Sequence, residues 1–165
     1  MTTPEATPAL SPSRAPISAD AIADALGLHR PTPEQRAVIE APLGPALVVA
    51  GAGSGKTETM SARVLWLVAN GHVAPDEVLG LTFTRKAASE LAHRIRERLT
   101  ALGRSSLATG TEHPVPVVDA FTQPTVATYN AFASSLYRDN AVLIGRDPDG
   151  TVLGAAAAWQ LARGI

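Results

Sequence analysis

One short segment limits this chain more than any other. Ala50-Gly51-Ala52-Gly53-Ser54-Gly55-Lys56-Thr57 sits between an apolar run, Ala46-Leu47-Val48-Val49-Ala50, and an amphipathic stretch from about Lys56 to Asn70. The apolar run predicts a strand buried on both faces. The stretch after it predicts a helix with Met60, Val64, Leu67 and Val68 on one face, closed by Gly71. A glycine-rich turn between strand and helix lets successive backbone N–H groups point inward and surround phosphate oxygens. The helix N-terminus adds its positive dipole. In such a loop Lys56 brings a full charge to the outer phosphates, and the Thr57 hydroxyl is placed to ligate Mg²⁺. The segment therefore predicts a P-loop for ATP with Mg²⁺, in which Lys56 and Thr57 act at the reacting phosphates. The first position of the strict pattern is Gly; here it is Ala50.

The elements on either side agree with that reading. Val78 to Phe83 predicts a second strand. A helix from about Lys86 to Leu102 follows, with Ala88, Leu91, Ile95, Leu99 and Leu102 spaced for one buried stripe. Thr125 to Thr128 predicts another strand, Asn130 to Asp139 a short helix, and Ala155 to Arg163 a further one. The alternation predicts an α/β fold, a P-loop NTPase of RecA-like type, with a parallel sheet, flanking helices and an incomplete set of elements. Before the P-loop, Ser18 to Leu26 predicts a helix ended by Gly27. Thr32-Pro33-Glu34-Gln35 opens the next, with Thr32 as cap and Gln35 at the capping-box position. Residues 1–17 repeat proline at Pro4, Pro8, Pro12 and Pro16 and read as a disordered tail. Residues 18–137 read as a domain, and 138–165 as the start of another subdomain.

Composition narrows the class. Hydrophobic residues make up 45% of the 165, enough for a core. With no cysteine, disulfides and thiolate zinc sites are excluded, and His29, His72, His93 and His113 lack metal-ligand spacing. The start resembles no secretory signal and no apolar stretch reaches membrane-spanning length, so the expectation is a cytoplasmic protein without membrane partners. The formal net charge is −1, which leaves room only for a local nucleic-acid patch. Such a patch lies from Arg85 to Arg104, where six Arg and Lys face only Glu90 and Glu97. Those arginines also read as a solvated helix face with Glu90–Arg94 pairing.

Three blocks in order, Thr32 to Arg36, Ala50 to Thr57, and Leu81-Thr82-Phe83-Thr84-Arg85-Lys86-Ala87-Ala88-Ser89-Glu90-Leu91, give the chain a family likeness. It resembles the start of a UvrD/PcrA/Rep-type superfamily 1 DNA helicase over roughly residues 31–137, the blocks being similar to the Q motif, motif I and motif Ia. Parts of it are similar to actinobacterial helicase–nuclease subunits related to AddAB and RecBCD, which would imply a second helicase–nuclease subunit as partner. The resemblance implies a nucleotide site of Gln35, Ala50, Gly51, Ala52, Gly53, Ser54, Gly55, Lys56, Thr57 and Glu58, with Gln35 reading adenine. By its chemistry alone Gln35 reads first as the reciprocal half of a cap, and only second as a donor–acceptor pair for a base edge. The resemblance also implies single-stranded DNA as partner. Phe83 would stack on a base, Arg85 and Lys86 would meet phosphates, and Thr128 and Tyr129 of a motif Ib-like segment would add contacts. Alone, Phe83 reads as a core aromatic at a strand end.

The sequence departs from the family at Pro31 (usually Leu), Glu58 (commonly Arg), Arg85 (often Asn) and Asn130 (commonly His). Hydrolysis needs an acid on Mg²⁺. Asp76-Glu77 follows Ala74-Pro75 rather than an apolar strand, and Asp119 follows a run broken by Pro114 and Pro116. The resemblance implies that this acid, the arginine fingers and the second motor domain lie past Ile165, so that residues 1–165 alone lack hydrolysis. It also implies 3′-to-5′ translocation in DNA repair or recombination. Two other readings fit the P-loop: a small kinase, or a non-catalytic ATP- or DNA-binding module.

Overall fold

The computed structural model describes residues 15–109, 122–150 and 154–163. Most of the proposed tail (1–14), Asp119 and His113 lie outside the described residues. Ile17 is tied to the domain. Its N–H donates to Asn70 Oδ1 (2.6 Å) and its carbonyl accepts from Asn70 Nδ2 (3.1 Å).

Two short helices come first. Helix α1 (Ala19–Ala25) is capped by Ser18, whose side chain accepts from the Ala21 N–H, and Gly27 leaves it at φ 63°. Helix α2 (Pro33–Ile39) begins with the capping box read from the sequence. Thr32 Oγ1 accepts from the Gln35 N–H (3.3 Å), and Gln35 Oε1 accepts from the Thr32 N–H (3.0 Å). The glycine-rich segment 50–55 then leads into α3 (Lys56–Ala69). A turn of 3₁₀ helix (Pro75–Glu77) precedes strand β1 (Leu79–Thr82), and α4 (Arg85–Gly103) follows. After the short α5 (Ser106–Thr109) come β2 (Thr125–Thr128), α6 (Tyr129–Asn140), a 3₁₀ turn (Val142–Ile144) and α7 (Ala155–Arg163).

The strands β1 and β2 are parallel neighbours, with Leu79 opposite Thr125 and Thr82 opposite Thr128. A parallel pair needs a crossover, and α4 lies within it, packed on both strands. All five positions of its apolar stripe, Ala88, Leu91, Ile95, Leu99 and Leu102, are buried. Leu91, Ile95, Leu99 and Leu102 meet Ile22, Ile39, Leu65, Trp66 and Val68 from α1 to α3 in one core. Each such large side chain contributes about 1.5–3 kcal/mol by leaving water.

Two expectations are corrected. Residues 46–50 form no strand; Leu47 is 90% and Val49 86% exposed. A parallel strand needs a ladder neighbour for its backbone groups. Among the described residues β1 and β2 pair only with each other, so nothing holds this run in a sheet. The buried side of α3 is also different. It carries Thr59, Ser61, Leu65, Trp66 and Val68, while Met60 is 47% exposed and Val64 and Leu67 are half-buried. This side faces α1, α2 and α4. It admits two hydroxyls because both are bonded: Thr59 Oγ1 donates to Gly55 O (3.1 Å) and Ser61 Oγ to Glu58 O (2.9 Å). Among the described residues no helix is long and apolar enough to cross a membrane.

Candidate nucleotide site and nucleic-acid surface

The loop between Ala50 and Lys56 turns on two glycines in the left-handed region, Gly53 at φ 76° and Gly55 at φ 79°. Side-chain-bearing residues disfavour that region, so the path of the loop depends on glycine there. Gly55 is the N-cap of α3, and the Thr59 N–H donates to its carbonyl (2.9 Å). Ser54 closes a small turn: its hydroxyl donates to Gly51 O (2.8 Å). Lys56 Nζ lies over the same turn and donates to Gly51 O (2.6 Å) and Ala50 O (3.1 Å). An ammonium has three donors, so one remains for an anion. Lys56 and Thr57 occupy the first turn of a 14-residue helix, and both are exposed. A cation, a hydroxyl and the positive end of a helix dipole therefore share one solvent-facing spot. That donor set suits a triphosphate with its divalent cation.

Gln35 reaches this loop. Its Nε2 donates to Ser54 O (3.1 Å) while its Oε1 holds the Thr32 N–H. Both halves of the amide are engaged, one by the start of α2 and the other by the glycine-rich loop. A Cβ on Gly55 would stand 2.8 Å from Gln35 Nε2, so the Gln35 side-chain amide lies close against the Gly55 backbone here. Beside Gln35 a cavity of about 320 Å³ is lined by Ile22, Leu28, Pro31, Glu58 and Arg98 among others. This is the lower end of the size range of small-molecule sites. At its rim, Arg30 hydrogen-bonds Asp24, which holds the Asp24 carboxyl below its ordinary range and raises the guanidinium.

Glu58 is turned to α4. Its carboxylate accepts two bonds from Arg98 (2.6 and 2.9 Å) and a longer one from Arg94 (3.4 Å). Arg98 also donates to Ser61 Oγ (2.9 Å). The sequence suggested Glu90 as the partner of Arg94; Glu90 instead lies 3.9 Å from Lys86. The glutamate signal was present in the sequence, but its distant partner forty residues on was not.

On the sheet, Thr82 and Thr128 end their strands opposite one another. Phe83 and Tyr129 therefore emerge at one level, their ring centroids 5.3 Å apart and tilted by 35°. Phe83 is 91% exposed, which rules out its reading as a core aromatic. Thr84 caps α4 through the Ala87 N–H (3.1 Å), and Thr128 caps α6 through the Ala131 N–H (3.2 Å). Two helix N-termini thus open at this edge, with Arg85 and Lys86 exposed in the first turn of α4. The Arg96 guanidinium, further along α4, donates to Gln123 Oε1 (2.8 Å).

The family model of the UvrD/REP helicase N-terminal domain matches residues 31–161. The chain belongs to that family. Within the UvrD/REP helicases it is 48% identical over 77 residues to the ATP-dependent DNA helicase UvrD2 of Mycobacterium bovis, covering 47% of this chain and 11% of that protein. It is 39% identical over 119 residues to DNA helicase IV of Escherichia coli, covering 59% and 17%. It is 40% identical over 85 residues to the ATP-dependent DNA helicase PcrA of Bacillus subtilis, covering 52% and 11%. The matched stretch thus spans less than a fifth of the length of these relatives.

Proposed function

We propose that this chain is the ATP-binding part of an ATP-dependent DNA helicase, and that the parent protein moves on single-stranded DNA in the 3′-to-5′ direction during repair or recombination. The observation that carries it is the joining of two sites by one scaffold. The P-loop with Gln35 lies at the start of α3. The Phe83–Tyr129 edge lies at the start of α4 and α6, and α3 and α4 pack together. In this reading residues 18–137 are the first part of a RecA-like motor domain. Residues 138–165 begin its helical insertion.

The amides of residues 51–56 and the Lys56 ammonium would hold the phosphates. The Thr57 hydroxyl would hold Mg²⁺, which supplies charge neutralisation between the outer phosphates when bound. Gln35 would choose adenine with the second N–H of its Nε2 and the second lone pair of its Oε1, keeping its bonds to Ser54 O and the Thr32 N–H. Single-stranded DNA would stack on Phe83 and Tyr129, with its phosphates toward Arg85, Lys86 and the helix end capped by Thr128. A second motor domain of the parent would close the nucleotide cleft and bring the remaining catalytic groups.

The test is a pair of titrations of the 165-residue chain, followed by backbone NMR: Mg-ATP and a thymidine oligonucleotide. The expected result is that ATP shifts residues 51–57 and the oligonucleotide shifts residues 83–86 and 128–130. Lys56→Ala should abolish the first set and spare the second. Phosphate release by this chain should stay near background with or without DNA. It holds no apolar run ending in Asp-Glu, and a missing arginine finger alone lowers turnover by about 10³–10⁵. Lys56-dependent turnover at ordinary enzymatic rates would favour the small-kinase reading.

A further inference from the structure

Arg63, in the second turn of α3, grips the far end of α2. Its Nη1 donates to the carbonyls of Val38 (2.9 Å), Ile39 (3.1 Å) and Ala41 (2.9 Å), and its Nη2 to that of Pro42 (3.2 Å). The sequence explains why an outside donor is needed. In an α-helix the Val38 carbonyl would take the N–H of residue 42, and residue 42 is proline, which has none. A helix of seven residues is also too short to hold its own position. A guanidinium suits the task, since its planar fork can serve several acceptors at once and its charge opposes the negative end of the helix.

The other end of α2 is held by Gln35, through Ser54 O. Both links run to one continuous piece of chain, the P-loop and the helix it opens. With its C-terminal end fixed by Arg63, α2 can present the Gln35 amide to the loop at only one height. The buried side chain of Ile39, whose carbonyl Arg63 holds, packs into the same core as Leu65. We propose that Arg63 is a positioning residue for base selection: it acts through α2 to hold Gln35 where it can both touch the P-loop and read a purine edge. This rests on the reading of Gln35 as the adenine-selecting residue.

The experiment compares wild type, Gln35→Ala and Arg63→Gln in the 165-residue chain with two readouts. The first is the NMR signal of the Gln35 side-chain amide, which reports its bond to Ser54 O without any nucleotide. The second is the ratio of ATP to GTP affinity, with tripolyphosphate as a probe of the phosphate loop alone. In Arg63→Gln the Gln35 amide signal should move toward its free position. The ATP preference should fall by about three- to tenfold, to the level of Gln35→Ala, as expected for one hydrogen bond lost. Tripolyphosphate affinity should be unchanged.

An unmoved Gln35 signal with full selectivity overturns the proposal. A moved signal in a chain whose wild type shows no ATP preference upholds the brace and sinks the adenine reading instead, so the two failures are distinct. Should Arg63→Gln not fold, Arg63→Lys is scored on the same signals. It keeps the charge without the fork, so a selectivity between wild type and Gln35→Ala is expected, and wild-type selectivity overturns the proposal.

Discussion

Phe83 and Tyr129 stand with ring centroids 5.3 Å apart at the ends of two strands that pair in parallel register. Neither ring is there by packing need, since both are largely exposed. Their spacing follows from the ladder. Thr82 and Thr128 are register partners, so the residue after each leaves the sheet at the same height. In the proposed reading, an exposed aromatic pair beside two helix N-termini would serve as a stacking platform with an anion-favouring border.

The first prediction concerns that platform. Phe83→Ala should weaken binding of a thymidine oligonucleotide by about 1–3 kcal/mol, the usual worth of one stacked base. Tyr129→Ala should cost less, because Phe83 is the more exposed of the two rings. Fold stability should be unaffected, because an exposed ring contributes little to the core. Fluorescence anisotropy at low salt, with thermal denaturation as control, checks both. Unchanged affinity in folded Phe83→Ala would remove this edge as the DNA surface.

The basic residues next to the rings should act differently from them. Arg85→Ala and Lys86→Ala should each reduce the dependence of log affinity on log salt by about 0.7, the contribution of one released counterion on a single strand. Arg96→Ala should leave the slope unchanged, since that guanidinium is committed to Gln123 further along α4. Measuring affinity across a series of salt concentrations separates the cases. A drop in slope for Arg96→Ala equal to that for Lys86→Ala would mean that the whole face of α4 is the contact.

Local signals were legible in the sequence, and long-range ones were not. The stripe of α4 from Ala88 to Leu102 was readable because five apolar residues recur at helical spacing and all are buried. The capping box was readable because Thr32 and Gln35 are three residues apart. The run from Ala46 to Ala50 failed as a strand because pairing depends on neighbours elsewhere in a chain, which no local pattern records. The buried face of α3 failed because Thr59 and Ser61 look polar until their hydroxyl partners are known. In the candidate nucleotide site, the glycines and Lys56 stood out by residue type. The contact of Gln35 with Ser54 O and the grip of Arg63 on α2 did not, since both join residues about twenty positions apart.

Glu58 and Arg98 supply the third prediction. The Arg98 side chain is only 16% exposed and is satisfied by Glu58 and Ser61 together. Glu58→Ala strips a nearly buried guanidinium of its counter-charge, whereas a hydrophobic replacement of both residues removes the need for one. Glu58→Ala should therefore destabilise the chain by about 1–3 kcal/mol, and Glu58→Leu with Arg98→Met should recover most of the loss. Urea denaturation of the single and double variants decides the matter. Full additivity of the two single losses would show that the pair is not a unit.

Gly53 and Gly55 provide the last prediction because they share one property and differ in another. Both stand in the left-handed region, at φ 76° and 79°. Alanine in that region costs roughly 1–2 kcal/mol whatever surrounds it. At Gly53 nothing lies within 4 Å of an added Cβ, whereas at Gly55 the Gln35 amide would be 2.8 Å away. That neighbour is the tip of a flexible side chain, so it can rotate aside at small cost in stability, but only by leaving Ser54 O. Gly53→Ala and Gly55→Ala should therefore lose similar stability in thermal denaturation, while only Gly55→Ala also displaces the Gln35 amide signal. Adding Gln35→Ala should change nothing further in the base selectivity of Gly55→Ala, because the same amide has already been moved. It should lower the selectivity of Gly53→Ala as much as that of wild type. If the two alanine variants displace Gln35 equally, its position is set by the path of the whole loop rather than by the approach at Gly55.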